Sequence, residues 1–226
     1  MSLLEIASLH KSFVSPGGER KRIVAIEKFA LGAGEQVALR GESGSGKTTF
    51  LHLIAGILTP DQGSIQIGSA DMTRLGEGAR DRLRASTLGY IFQTFNLLQG
   101  YTCLENLLLA MSFGLGRDRA RAVALLERVG LGNRLHHLPR QLSTGQQQRV
   151  AIARAMANRP RLVLADEPTG NLDQRNADEA LALIRQTCRE TGAALLLVSH
   201  DAGVLSRFEE TRDFALLNTV GPEGGQ

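Results

Sequence analysis

The sequence predicts an α/β fold, and two patterns indicate it. Short runs with high β propensity alternate with helical stretches along the chain. Residues 162–165 and 193–198 are entirely apolar, which is typical of parallel strands that helices cover on both faces. Residues 15–18 predict a hairpin loop near the N-terminus. The predicted strands are residues 3–9, 36–40, 64–67, 88–92, 162–165, 193–199 and 214–218.

Length and composition favour one compact domain. The chain has 226 residues, of which 42% are apolar, and this is enough to bury a core. Residues 95–158 are mainly helical and predict a helical subdomain beside a core formed by residues 1–94 and 159–220. The glycine-rich end at residues 221–226 predicts a disordered tail.

Charge and cysteine usage argue against two other classes of protein. The net charge is only +3, and the arginines of residues 74–84 alternate with Glu77, Asp81 and small residues. This pattern favours a solvated helix face over a nucleic-acid surface. Cys103 and Cys188 lie far apart without a CxxC pair, so neither a disulfide framework nor a zinc site is indicated, and Cys188 is predicted to lie in the core.

The sequence also predicts a chain that does not enter the membrane. Its longest apolar runs fall far short of the roughly 20 residues that a membrane-spanning helix needs. Residues 1–9 lack the basic start and the long apolar segment of a secretory signal. We therefore expect a cytoplasmic protein.

A phosphate-binding motif occupies residues 41–48, which read GESGSGKT and match the pattern GxxxxGK[ST]. The motif follows a predicted strand and precedes a predicted helix at residues 47–58, which makes a P-loop more plausible than a simple glycine-rich turn. Gly41, Gly44 and Gly46 leave room for backbone N–H groups to turn around a phosphate. The sequence therefore predicts an α/β P-loop NTPase with a RecA-like core.

The side chains of this loop predict how it binds a nucleotide. Lys47 can reach the β- and γ-phosphates, and the Thr48 hydroxyl can bind Mg²⁺. The N-terminus of the following helix adds partial positive charge. Ser43, Ser45 and Thr49 complete the predicted nucleotide-binding set in this segment.

Two adjacent carboxylates end the apolar run at residues 162–165. Because successive strand residues point to opposite sides, Asp166 and Glu167 need different roles. We assign Asp166 to the Mg²⁺ site and Glu167 to the general base that polarises the attacking water. An apolar strand that ends in Asp-Glu is often structural, and only its pairing with the phosphate loop favours the catalytic interpretation.

The segment 142–155, LSTGQQQRVAIARA, resembles the signature of the ABC superfamily. In that family this motif caps the γ-phosphate bound by a second subunit, so the resemblance implies a homodimer that encloses two ATP molecules. The residues that carry it are Ser143, Gly145 and Gln146, at the start of a helix that we expect to run to about Asn158. Thr144 departs from the family pattern, in which a second glycine is usual.

Four further matches to the same family occur, and they fall in its order along the chain. Phe13 resembles the aromatic residue that stacks on adenine, and its alternative is a core phenylalanine. Gln93 resembles the glutamine that contacts Mg²⁺ or the attacking water, and His200 resembles the histidine that contacts the γ-phosphate. Asn171-Leu-Asp173 resembles the loop that crosses the dimer interface, although Asp173 also fits a helix cap.

The other histidines match no motif and predict packing or surface positions. They are His10, His52, His136 and His137.

The segments 89–98, 104–106 and 167–173 resemble the lipoprotein-releasing, macrolide-exporter and cell-division ATPases. This implies an ATPase that uses ATP and Mg²⁺, sits at the cytoplasmic face of the inner membrane, and contacts the membrane only through permease subunits. We expect residues 95–105 to line the groove for the permease, with Tyr101 and Leu104 as apolar anchors. A regulatory subunit of a cell-envelope enzyme and a soluble ABC protein remain alternatives, and no nucleic-acid partner is expected.

Overall fold

The computed structural model describes residues 2–220, so the predicted tail at residues 221–226 lies outside the described residues. The described chain folds into an antiparallel sheet and a parallel sheet with helices packed on them. This is the predicted α/β class with an antiparallel region near the N-terminus.

A four-stranded antiparallel sheet carries the N-terminal region. Its strands are β1 (Ser2–Val14), β2 (Arg20–Gly32), β4 (Gln62–Ile67) and β5 (Ala70–Asp71), in the order β2-β1-β4-β5. The buried side chains Leu4 and Ile6 lie opposite Ile67 and Ile65 of β4, which fixes the register of this pair. The hairpin loop between β1 and β2 lies where the sequence predicts it.

A five-stranded sheet with parallel pairing forms the centre of the molecule. Its strands are β3 (Gln36–Arg40), β6 (Leu88–Ile91), β7 (Leu162–Asp166), β8 (Ala194–Ser199) and β9 (Glu210–Asp213), in the order β6-β7-β8-β3-β9. Every residue of β7 and β8 is buried, as their apolar sequences predict. Because the strands are parallel, their carboxyl ends meet at one edge, and ligands usually bind at such an edge.

Eight α-helices lie among residues 2–220. They are α1 (Lys47–Ile54), α2 (Glu77–Thr87), α3 (Cys103–Ser112), α4 (Arg119–Arg128), α5 (Thr144–Ala155), α6 (Gln174–Thr191), α7 (Ala202–Leu205) and α8 (Phe214–Leu217). Helices α3, α4 and α5 share a hydrophobic cluster of their own, in which Leu107, Leu126 and Val150 are fully buried. None of the described helices is both long and apolar enough to cross a membrane.

The predicted strand at residues 214–218 is wrong. The strand lies just before it, as β9, and the apolar residues form α8 instead. The side chain of Asp213 caps this helix by accepting a hydrogen bond from the backbone N–H of Ala215. Phe214 is fully buried, and its ring lies 5.6 Å from the ring of Phe50 on α1. This long-range contact overrides the β propensity of the local sequence.

Smaller differences concern the ends of two helices and the burial of one predicted anchor residue. Helix α1 ends at Ile54 rather than near residue 58, and α5 ends at Ala155 rather than near Asn158. Leu104 is 4% exposed and belongs to the cluster of the helical region, so it cannot anchor a partner as predicted. Tyr101 is 44% exposed and remains available.

Candidate functional site

The phosphate loop joins β3 to α1, as the motif predicts. The side chain of Lys47 is only 6% exposed, and its Nζ donates hydrogen bonds to the carbonyls of Gly41 (2.6 Å) and Glu42 (2.7 Å). Burial lowers the pKa of Lys47, whereas the charges of Glu167, Asp166 and Glu42 oppose that change. The ammonium group is therefore buried next to the loop, where a phosphate could compete with the two carbonyls for it.

The carboxylate of Asp166 lies at the end of β7 beside the start of α1. Its Oδ1 accepts a hydrogen bond from Thr48 Oγ1 at 3.2 Å. Burial raises the pKa of Asp166, and the hydrogen bond from Thr48 opposes that change. A carboxylate oxygen and a hydroxyl oxygen are hard ligands of the kind that Mg²⁺ prefers. These two residues therefore fit the predicted magnesium site.

The next residue, Glu167, adopts a left-handed backbone conformation with φ of 43°. Its carboxylate is held at both oxygens, since Ser199 Oγ donates to Oε2 at 3.0 Å and His200 Nδ1 lies 2.8 Å from Oε1. Lys47 Nζ lies 4.0 Å from the same Oε1. A left-handed residue other than glycine is strained, and strain of this kind clusters at functional sites. The geometry thus presents a fixed and partly buried carboxylate at the sheet edge.

Ser199 is a residue that sequence reasoning missed. It ends β8, is 1% exposed, and also accepts a hydrogen bond from the backbone N–H of Asp201 at 3.1 Å. The available signal was a single polar residue at the end of an otherwise apolar strand. Buried hydroxyl groups need partners, so that position predicts a polar contact at the sheet edge.

Gln93 lies after β6 and is attached to the loop that follows β7. The side chain of Asn171 donates a hydrogen bond from Nδ2 to the backbone carbonyl of Gln93 at 2.7 Å. A Cβ atom on Gly170 would lie 3.4 Å from Gln93 Nε2, so the glutamine side chain lies directly beside this loop. The structure thereby connects two of the predicted motifs within one chain.

The turn that follows Gln93 is held by helix α5. Phe95 and Asn96 both have left-handed backbones, with φ of 60° and 50°. Arg154 donates one hydrogen bond to the carbonyl of Phe95 at 2.7 Å and another to the carbonyl of Asn96. Burial lowers the pKa of this guanidinium group. Because two carbonyls accept from one planar group, the turn and the helix are fixed relative to each other.

The predicted signature motif forms the N-terminus of α5. Ser143 caps the helix, since its Oγ accepts from the N–H of Gln146, whose side chain in turn accepts from the N–H of Ser143. A Cβ atom on Gly145 would lie 2.6 Å from Asn176 Oδ1, so a larger residue there would require the side chain of Asn176 to move. Across residues 2–220, no hydrogen bond or ion pair joins this motif to the phosphate loop.

Asp173 and Phe13 each had an alternative interpretation. Asp173 is the N-cap of α6 and accepts a hydrogen bond from the N–H of Asn176, so the helix-cap interpretation holds in this chain. Phe13 is 41% exposed on β1, which excludes the core alternative. Its ring lies 5.6 Å from Lys11 Nζ.

A second missed residue, Tyr90, lies beneath the carboxylate of Asp166. Its ring stacks on Phe92 at 4.1 Å and lies 5.8 Å from the ring of His52. The hydroxyl is buried near Asp166, and burial together with the charge of that carboxylate raises the pKa of Tyr90. His52 is half-buried and packs here, which agrees with its predicted packing role, and burial lowers its pKa.

The structure therefore brings five predicted residues together at the carboxyl edge of the parallel sheet. Gln93 is hydrogen-bonded to Asn171 of the loop that follows Glu167, whereas the signature motif and Phe13 lie outside this group. Their arrangement can hold phosphate and a divalent cation beside a carboxylate that could accept a proton. The five residues are Lys47, Thr48, Asp166, Glu167 and His200.

Comparison with known proteins decides the family. Residues 26–170 match the model of the ABC transporter family, which is more than half of the chain. This chain belongs to the ABC transporter family. The predicted resemblance is thus confirmed, and the chain is an ATP-binding ATPase of that family.

Individual members of the family agree with this assignment. The lipoprotein-releasing system ATP-binding protein LolD of Pseudomonas syringae pv. tomato is 42% identical over 211 residues, which cover 92% of each chain. The dimeric structure of MJ0796, a bacterial ABC transporter cassette, superposes with a TM-score of 0.85 and 33% identity over 93% of each chain. A second dimeric structure of MJ0796, bound to ADP and Pi after hydrolysis, has a TM-score of 0.82.

Proposed function

We propose that this chain powers an export, extraction or mechanotransmission transporter by closing as a homodimer around ATP. The observation that carries the proposal is the separation of two half-sites within one chain. Lys47, Thr48 and Glu167 lie together, whereas among residues 2–220 no hydrogen bond or ion pair joins the capped N-terminus of α5 to the phosphate loop. Two copies arranged head to tail would bring each half-site to its complement.

The phosphate half-site assigns a role to each charged group. Lys47 would exchange its carbonyl partners for phosphate oxygens, which offer a charge-assisted bond instead of neutral ones. Glu167 would accept a proton from the attacking water. His200, which already lies within hydrogen-bond distance of Glu167 Oε1, would keep that carboxylate oriented.

Thr48 and Asp166 would hold Mg²⁺, with Gln93 as the third candidate ligand. When bound, the cation would neutralise negative charge on the β- and γ-phosphates. Phe13 would stack its exposed ring on adenine, since an aromatic face at the surface of β1 can cover a planar base. Ser43, Gly44, Ser45 and Thr49 would complete the nucleotide contacts around the loop.

The second half-site would come from the partner copy. The N-terminus of α5 carries partial positive charge from its helix dipole, which favours an anion there. Ser143, Gly145 and Gln146 would supply this terminus, and Asp173 would cross the dimer interface. The dimeric structures of MJ0796, one of them bound to ADP and Pi, support this arrangement.

The dimer would lie at the cytoplasmic face of the inner membrane. There it would bind an integral membrane permease. The name of the relative LolD supports a lipoprotein-releasing type of system. A groove of about 610 Å³ lies beside the turn that follows Gln93, and Arg84, Tyr90 and Phe113 are among its lining residues. Of the predicted segment 95–105, only Asn96 lines this groove, so Phe113, which is 69% exposed, replaces Leu104 as the expected apolar anchor.

Three variants test the proposed motor. Glu167→Gln keeps the size of the side chain and removes the base, so Mg-ATP should accumulate a dimer while phosphate release falls by roughly 10²–10⁴-fold. Ser143→Arg should bind ATP and fail to dimerise, and Lys47→Ala should lose ATP binding. Light scattering measures the dimer, and a fluorescent ATP analogue measures binding. If Ser143→Arg hydrolyses ATP as fast as the unmodified chain, the signature motif does not act across a dimer.

The transporter partner needs a separate experiment. We expect mild solubilisation of membranes from cells that contain the tagged chain to recover an integral membrane protein. Phe113→Ala should weaken that recovery, while Leu115→Ala, an exposed apolar residue that does not line the groove, serves as the matched control. Recovery of soluble proteins alone would contradict the transporter assignment and leave the ATPase assignment standing.

A further inference from the structure

Asn218 follows α8 and is buried beneath the phosphate loop. The side-chain Oδ1 accepts a hydrogen bond from the backbone N–H of Ala25 on β2 at 2.7 Å. The side-chain Nδ2 donates to the carbonyl of Ile23 at 2.9 Å and to the carbonyl of Ser45 at 3.3 Å. Both hydrogens of the amide are therefore used, and one of them reaches the loop that joins β3 to α1.

The segment that carries Asn218 is itself firmly attached. Its backbone N–H donates to the carbonyl of Phe214 at 2.8 Å, and the next residue, Thr219, donates its N–H to the carbonyl of Ala25 at 2.9 Å. Phe214 is fully buried against Phe50 of α1. Asn218 thus has a fixed position from which it can hold the loop.

The contact with Ser45 determines the direction of one backbone N–H group. In a trans peptide the C=O and the following N–H point in opposite directions. Because the carbonyl of Ser45 points towards Asn218, the N–H of Gly46 points away from it, towards the other side of the loop.

Gly46 is confined at the same point. A Cβ atom there would lie 2.9 Å from the carbonyl of Ile23 and 3.7 Å from Asn218 Nδ2, and its φ of 99° suits glycine. The loop backbone therefore rests directly on β2 and on the amide of Asn218. Its freedom to rotate the peptide between Ser45 and Gly46 is small.

We propose that Asn218 is a positioning residue that orients the peptide between Ser45 and Gly46, so that the Gly46 N–H is directed at a nucleotide phosphate. It would act through the loop and not by touching the nucleotide. The inference rests on the proposed role of the phosphate loop. It assigns to that loop a partner residue that lies 173 positions after Ser45 in the sequence.

The test is nucleotide affinity in the full chain with variants at residues 218 and 219. Asn218→Ala removes the amide, and Asn218→Asp keeps the acceptor for Ala25 while it places a carboxylate against two carbonyl oxygens. Thr219→Val is the matched control, since it removes the hydroxyl that donates to Ala25 at 3.1 Å and leaves the loop untouched. Displacement of a fluorescent nucleotide by ADP and by AMP gives the dissociation constants.

We expect Asn218→Ala to raise the Kd for ADP by about 3–10-fold, the usual effect of one hydrogen bond. Asn218→Asp should raise it further, and Thr219→Val should leave it within about twofold of the unmodified value. The Kd for AMP should rise by a smaller factor, because AMP lacks the β-phosphate. A residue with only a structural role would lower the unfolding midpoint and leave the Kd of the folded protein unchanged.

Two outcomes separate the inference from the proposed function on which it rests. Equal ADP affinities in Asn218→Asp, Thr219→Val and the unmodified chain would overturn the role of Asn218, even if Asn218→Ala fails to fold. Unchanged ADP affinity in Lys47→Ala would instead overturn the assignment of the phosphate loop itself.

Discussion

Ser199→Ala is the sharpest test of how the general base is held. The hydroxyl of Ser199 lies 3.0 Å from Glu167 Oε2 and is 1% exposed, so water cannot easily replace it. A hydrogen bond to a charged group contributes about 1.5–3 kcal/mol. We expect the free energy of unfolding to fall by about that amount at most, because the side chain of Glu167 is 12% exposed and can recover some hydration.

The larger effect of this substitution should be on turnover. A misplacement of about 1 Å at a catalytic group can cost about 10²-fold in rate, so kcat should fall by about 10–100-fold. The KM for ATP should stay within about threefold, since Ser199 donates to no group of the phosphate loop.

Phosphate release by the full chain, with its permease present if the isolated rate is too low, measures both constants. Ser199→Thr keeps the hydroxyl and a β-branched residue suits a strand, so it should retain most activity. If the kcat values of Ser199→Ala and Ser199→Thr both lie within about twofold of the unmodified value, the hydroxyl of Ser199 is not needed to position Glu167.

Three other predictions concern the loop contacts, an ion-pair cluster and the core. Asn171→Ala removes the hydrogen bond to the carbonyl of Gln93, and we expect the permease-stimulated ATPase rate to fall several-fold while ATP affinity, from fluorescence titration, stays constant. Asp61 has a pKa of about 2, because the hydrogen bonds from Ser12, Arg20 and Lys11 outweigh the opposing effect of burial. The ionised carboxylate of Asp61 therefore stabilises the fold above its ordinary pKa near 4, and this stabilisation is lost as the pH falls towards 2. In urea unfolding, Asp61→Asn should lower the free energy of unfolding by about 1 kcal/mol near neutral pH and by less at about pH 3. Phe50→Ala should lower the free energy of unfolding by about 3–5 kcal/mol in the same assay, because Phe50 is fully buried, and a loss under about 1 kcal/mol would contradict this packing.

The parts of the fold that the sequence predicted are those with a local cause. The apolar strands β7 and β8 needed only composition, and the phosphate loop needed only its glycines and its place between a strand and a helix. Leu104 was a different case, since it shares a helical face with Leu107 and Met111 at spacings of three and seven residues. That periodicity was present in the sequence and predicts burial, so the anchor role was an avoidable error.

Other features could not be predicted because their causes lie far away in the chain. Ser199 contacts a residue 32 positions earlier, and Asn171 contacts one 78 positions earlier. Single polar residues at strand ends and in loops carry no periodic signal that would identify such partners. Likewise, α8 depends on the packing of Phe214 against Phe50, which no local propensity contains.

The energetics of Glu167 indicate what its hydrogen bonds are for. A left-handed backbone at a residue with a side chain costs about 1–3 kcal/mol, and a partly buried carboxylate adds a desolvation cost. The hydrogen bond from Ser199, the contact with His200 and the backbone bond from Glu167 N–H to the carbonyl of Val198 offset these costs. This group of contacts therefore acts mainly against costs that arise at Glu167 itself. Its main effect is to fix the direction of one carboxylate at the sheet edge, which is what a general base requires.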